Sequence, residues 1–193
     1  MKNNILLITT LLCLCLKADA QFLWEAHKVQ QVACADNEHV MIKTTLGILN
    51  HDSKAVLGDS ITISNRTGNI VVGTMGISPL VASVDVSPLK NLKEGFMLKV
   101  GDDHKLYVIG SDAHGTAYGI IELTRLLGVS PWEFWADAAP RTLNKLELPA
   151  GYQQVQSPSV EFRGIFINDE DWGLTRWNSR DYEPPYRPTR PAI

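Results

Sequence analysis

The amino-acid sequence predicts an α/β fold, and three observations carry that expectation. Glu94–Val100 and Lys105–Ile109 are strand-like runs joined by Gly101-Asp102-Asp103-His104, turn chemistry that makes them a hairpin. A helical stripe of Ala117, Ile120, Ile121, Leu123, Leu126 and Leu127 follows through the glycine turn Gly110–Gly115, and Gly128 stands where a helix C′ glycine belongs. Upstream, Asn69–Gly73 carries Ile70, Val71 and Val72, a continuous apolar run suited to a buried strand. A hairpin that feeds a helix forms a layer pair, with the sheet on one side and the helix packed across it.

In chain order, the first 20 residues form a segment apart. Lys2 gives a positive start, Ile5–Leu16 an apolar stretch, and Ala18-Asp19-Ala20 the small-x-small pattern of a signal peptidase site, with Gln21 the expected mature N-terminus. About 12 apolar residues are too few to span roughly 30 Å of hydrocarbon, so a secretory signal is expected and not an anchor. Its removal takes away Lys2, Lys17 and Asp19, moving the formal charge from −3 to −4, and takes away Cys13 and Cys15. Cys34 is then the one remaining cysteine and cannot form an internal disulfide. An exported chain that folds on core burial alone fits a bacterial periplasm or cell surface. Cys34, between two alanines, reads as a small buried apolar residue.

Residues 21–157 read as one domain of short strands and helical segments. Val40–Thr44 is apolar and β-branched, as a strand would be; Ile61-Thr62-Ile63 alternates; Ser78-Pro79 reads as a helix start, Ser78 as cap and Pro79 at the first position. Ser130–Asp137 is aromatic-rich, and Trp132 and Trp135 suit a core or an interface better than a sugar platform. Leu146–Leu148 is a further strand candidate. Pro149-Ala150-Gly151 breaks it, and the polar stretch to Ser159 reads as a linker. Residues 158–177 open a new unit: Val160–Ile167 ends in an apolar run suited to a strand buried on both faces. In 178–193 the repeated prolines of Tyr182–Pro191 exclude a helix or a central strand, so an extended or disordered tail is expected.

Hydrophobic content of 45% and charged content of 20% suit a globular protein, and the absence of a basic surplus excludes a nucleic-acid binder. The strongest chemical signal is Asn168-Asp169-Glu170-Asp171 directly after the apolar run. Glycoside hydrolysis commonly needs one protonated and one ionised carboxyl group. On an extended chain Asp169 and Asp171 share a face, with Asn168 and Glu170 on the other. A solvated acidic turn or a helix cap explains the same residues. Hard oxygen ligands could also serve a metal, but the cluster lacks the spaced loop and glycine of a calcium site, so neither metal nor cofactor is expected. Arg163 inside the expected strand would need a carboxylate or other acceptors if buried, either as a structural ion pair or to hold a catalytic acid or a sugar carboxylate. Trp172 beside the cluster is a candidate sugar-stacking ring. The turn before Thr116 lacks both a Walker lysine and the three-glycine fingerprint, which argues against nucleotides.

Two stretches, GSDAHGTAYGIIELTRLLGVSPWEFWAD (Gly110–Asp137) and VEFRGIFINDEDWGL (Val160–Leu174), resemble glycoside hydrolase family 115, and VVGTMGISPLV (Val71–Val81) is similar to an earlier part of the same family's N-terminal domain. The resemblance implies an accessory α/β domain like those of families 20 and 67, followed by the first strand of an incomplete (β/α)8 barrel. It implies removal of α-1,2-linked glucuronic acid, often 4-O-methylated, from glucuronoxylan or a related polysaccharide, with inversion, and leaves a homodimer of the full-length parent open. By it, Asp169, Glu170 and Asp171 are the catalytic candidates, and Asn168, Trp172 and Arg163 the substrate-binding ones. A barrel needs about 250 residues, so this polypeptide is expected to be a fragment without activity of its own. A non-catalytic carbohydrate- or partner-binding module and a remnant of an interrupted gene are the competing readings.

Overall fold

The computed structural model describes residues 21–133 and 138–164, in two units that divide after Pro158. The first unit is built on a six-stranded sheet. In chain order its elements are β1 (Phe22–Glu25), β2 (Gln30–Cys34), α1 (Val40–Leu57), β3 (Ile61–Ser64), β4 (Ile70–Thr74), β5 (Phe96–Val100), β6 (Leu106–Gly110), α2 (Ala113–Leu126), β7 (Lys145–Leu148) and β8 (Gln153–Gln156). The large sheet runs β3-β2-β4-β6-β5-β8. Its first four strands are parallel; β5 is antiparallel to β6 and to β8. β1 and β7 form a separate antiparallel pair.

α1 and α2 cover one face of the large sheet. Ile42, Leu46, Leu49 and Val56 of α1 pack with Ile120 and Leu123 of α2 and with Val32, Ile70, Val72, Leu98 and Val108 below them. Most of these side chains are fully buried, each contributing roughly 1.5–3 kcal/mol. Phe22, Trp24, Leu146 and Leu148 of the small sheet close the same core. Among the described residues no α-helix covers the opposite face. There the segment between β4 and β5, with 3₁₀ turns at Pro79–Val81 and Ser87–Leu89, lays Val81 and Leu89 over Ala33, Val71, Met97 and Ile109.

The hairpin and the second helix form where the sequence predicts them. The hairpin turn is tied by Tyr107, whose hydroxyl donates to Asp103 Oδ2 at 3.0 Å. α2 ends as the glycine implies: Gly128 has φ +87°, its N–H donates to the Arg125 carbonyl and that of Val129 to Thr124. These two bonds are a Schellman closure.

Three expectations differ. Val40–Thr44 is not a strand but the start of an 18-residue helix, because Ile42, Leu46, Leu49, Ser53 and Val56 repeat at helical spacing into the core. His39 Nδ1 caps it, accepting from the Met41 N–H at 3.1 Å. The helix expected after Ser78 is a single 3₁₀ turn, and the buried Ser78 hydroxyl has no hydrogen-bond partner among the described residues. The stretch read as a linker contains β8, which pairs with β5 as the edge of the sheet from Gln153 to Gln156.

In the second unit, Val160–Gly164 is exposed and carries no strand; residues 165–193 lie outside the described residues, as do 1–20.

Candidate functional site

Of the residues singled out for chemistry, Asn168, Asp169, Glu170, Asp171 and Trp172 lie outside the described residues, as does Trp135. Arg163 is described, and it is not buried in a strand. It is exposed, and its guanidinium donates to the carbonyls of Val160 at 2.6 Å and Glu161 at 3.2 Å. Phe162 beside it is 90% exposed, and the apolar residues Ile165–Ile167, where burial on both faces is expected, lie outside the described residues. Trp132 is 65% exposed, so it is not a core residue of the first unit.

The glycine turn that carries the family resemblance is a docking joint. Asp112 is the N-cap of α2: Oδ1 accepts the Gly115 N–H at 2.9 Å, and Oδ2 accepts the Glu94 N–H at 2.7 Å. Ser111 Oγ accepts the Gly95 N–H at 2.9 Å, and the Ser111 N–H donates back to the Gly95 carbonyl at 2.8 Å. The start of the helix is thereby stapled to the start of β5. The glycines permit this approach. A Cβ on Gly115 would lie 2.0 Å from the Gly95 oxygen, and one on Gly110 would lie 2.0 Å from the Thr116 nitrogen. Burial pushes the Asp112 carboxyl up, but the donations from Gly115, Glu94 and Ser111 outweigh it and hold the pKa below its ordinary value. A carboxylate already occupies the helix N-terminus, so the turn offers no cradle for a phosphate.

In open α/β sheets, ligands bind outside the carboxyl ends of the strands, where the strand order reverses. Here that point lies between β2 and β4, from which the chain goes to β3 on one side and to β6 on the other. The loop after β2 fills it with Glu38. The buried Glu38 carboxylate accepts the Thr74 N–H and the Thr74 hydroxyl, both at 2.7 Å. Thr74 Oγ1 lies 2.8 Å from Thr116 Oγ1, which also donates to the Asp112 carbonyl at 3.0 Å. Asn37 Nδ2 donates across to the Ile77 carbonyl at 2.9 Å. The crevice is thus closed by the protein's own side chains. Sequence reasoning missed Glu38 and Thr74; they are 36 positions apart, and no local pattern marks the pair.

A concavity lies one strand further out. An open cleft of about 540 Å³ is formed at the carboxyl ends of β2 and β3 against the first half of α1. Cys34 and Leu46 line it as buried apolar residues, and Ile63, 58% exposed, stands beside them. Asp36, Lys43, Ser64 and Asn65 bring polar groups. Burial, with Glu38 and Asp36 nearby, pushes the Cys34 thiol up to about 11. It is an inert packing group, as its alanine neighbours predict. Among the described residues no three His, Cys, Asp or Glu side chains group as a metal site, and no described helix is long and apolar enough to cross a membrane.

Two comparisons with known proteins point to one family. A family model described as glycosyl hydrolase family 115 matches residues 155–190. Among solved structures, the family GH115 4-O-methyl-α-glucuronidase BtGH115A, with specificity for decorated arabinogalactans, is 50% identical over 84% of this chain, with a TM-score of 0.79. The chain spans 22% of that enzyme's length. An N-acetyl-β-hexosaminidase of Streptomyces plicatus is 15% identical over 74% of this chain and 24% of its own, with a TM-score of 0.48. A family GH20 exo-β-N-acetylglucosaminidase of Vibrio harveyi is 16% identical over 73% of this chain and 17% of its own, with a TM-score of 0.43. No curated protein sequence matches.

Proposed function

The chain belongs to glycoside hydrolase family 115, matching an N-terminal portion of it, and on that premise we propose that it supplies the accessory domain and the opening of the catalytic barrel of an exported enzyme that removes (4-O-methyl-)glucuronic acid side chains from a polysaccharide. The observation that carries this reading is 50% identity to BtGH115A over 84% of the chain.

The role of the first unit follows from its construction. Its strand-end crevice is closed by Glu38 and its helix N-terminus is occupied by Asp112, so it supplies no reacting group there. The chemistry falls to the segment after Arg163, where Asp169, Glu170 and Asp171 are the candidate acid and base, and Asn168, Trp172 and Arg163 the candidate sugar contacts. An inverting glycosidase separates its two carboxyl groups by roughly 6.5–9.5 Å to admit a water. Neighbours in one short segment are a poor source of both, so at least one partner comes from another part of the parent enzyme. Export through residues 1–20 would deliver the protein to a bacterial periplasm or cell surface. Glucuronoxylan is one substrate; decorated arabinogalactan is a second, and the likeness to BtGH115A favours it.

Two assays test this. The purified chain alone should release no glucuronic acid above background from either polysaccharide. A chimera in which this chain's matching residues replace their counterparts in BtGH115A should release 4-O-methylglucuronic acid from decorated arabinogalactan. A folded but inert chimera would remove the basis of the reading.

A further inference from the structure

The cleft beyond β2 and β3 has the inventory of a saccharide subsite. Asn65 Nδ2 donates to Asp36 Oδ2 at 2.8 Å, which leaves Asp36 Oδ1 and the Asn65 amide oxygen as acceptors on one rim. Ser64 Oγ accepts the N–H groups of Arg66 and Thr67 at 3.3 and 3.2 Å, which leaves its own proton to donate. Lys43 Nζ donates one proton to the Asp36 carbonyl at 3.2 Å and retains two. Ile63 and Leu46 give an apolar wall between these groups. The volume of about 540 Å³ lies within the roughly 300–1,000 Å³ of small-ligand sites, and few convergent polar groups on an apolar floor are what such sites share. The cleft is open to solvent beside the edge strand β3.

We propose that this cleft holds a uronate-bearing sugar unit of the polysaccharide. Asp36 and Asn65 bond ring hydroxyls, Ile63 meets the ring's C–H face, and Lys43 meets the uronate carboxylate by a charge-assisted bond. The choice of ligand rests on the glucuronidase reading above; the site itself rests on the cleft.

The test is affinity electrophoresis of the purified chain in gels containing glucuronic acid-decorated arabinogalactan or the same polysaccharide after removal of its uronic acids. The decorated form should retard the chain. Lys43→Met should weaken that retardation about tenfold, the value of one charge-assisted hydrogen bond, as should Asn65→Ala. Lys43 touches only a backbone carbonyl and Asn65 an exposed carboxylate, so both variants should keep the parent melting temperature. Absence of retardation, equal retardation by both polysaccharides, or unchanged retardation of both folded variants would each overturn the proposal. Failure here is separable from failure of the family reading, because glucuronic acid release by the chimera is scored independently of binding by the chain.

Discussion

Replacing Gly115 by alanine should destabilise the first unit, although alanine is the better helix former. The new Cβ would lie 2.0 Å from the Gly95 oxygen, 2.9 Å from the Gly95 carbon and 3.0 Å from the Glu94 carbon, all backbone atoms. Relief requires the start of α2 and the start of β5 to separate by about 1 Å, since packed atoms do not overlap so far. The joint between them consists of bonds at 2.7–2.9 Å from the Glu94, Gly115, Gly95 and Ser111 N–H groups, and such a shift takes one or two of them out of range. Overpacking costs about 1–3 kcal/mol and each lost bond about 1 kcal/mol. The helix-propensity gain is at most about 1 kcal/mol and smaller in the first turn. The net is a loss of about 1–5 kcal/mol, centred near 3, or about 9 °C in Tm for a unit of this size. Gly47→Ala is the matched control. It lies inside α1, and its Cβ would meet nothing within 4 Å. It should gain about 0.5–1 kcal/mol. Thermal melting of the two variants beside the parent decides the matter. If Gly115→Ala melts at or above Gly47→Ala, the close-approach argument is wrong.

Three further outcomes follow from the same structure. The buried Glu122 carboxylate accepts from Arg125 Nε and Nη2 at 2.7 and 2.6 Å and from Gln154 Nε2 at 2.6 Å, joining α2 to β8; Glu122→Ala should cost about 1–2 kcal/mol and speed amide exchange in β8 more than in β6, as read by mass spectrometry. Arg125 is the main cause of the low Glu122 pKa, and Asp112 is also lowered. A depressed folded pKa contributes stability that is present above the unfolded pKa near 4 and lost as pH falls through the folded value. Tm should therefore drop below about pH 4, and Asp112→Asn, which keeps a capping oxygen, should flatten that drop. With its pKa near 11, Cys34 should resist iodoacetamide at pH 8 in the folded chain and react on unfolding in urea, followed by mass; rapid labelling of the native state would contradict its burial.

Local signals made part of this fold legible. The β5–β6 hairpin, β4 and the body and end of α2 each announce themselves through turn residues, an apolar run or a C′ glycine. α1 was hidden by composition, since Val40, Ile42, Thr44, Thr45, Gly47 and Ile48 are poor helix formers, and tertiary burial of Ile42, Leu46, Leu49 and Val56 overrides them. β8 was hidden for a different reason. Its sequence, QQVQ, buries little, and it is a strand because its main chain completes the edge beside β5. Glu38–Thr74–Thr116 unites three distant segments, which no window of sequence reveals. The acidic segment stood out as a cluster, but its assignment to sugar chemistry came from resemblance, because an acidic turn has the same composition.

The account rests on Asp169 and its neighbours acting on a glucuronoside. Asp169→Asn in the BtGH115A chimera, assayed for release of 4-O-methylglucuronic acid, tests this most directly. kcat should fall at least about 100-fold, the scale of a lost general acid or base, with Tm unchanged. Near-parent turnover by folded Asp169→Asn, Glu170→Gln and Asp171→Asn variants alike would contradict it.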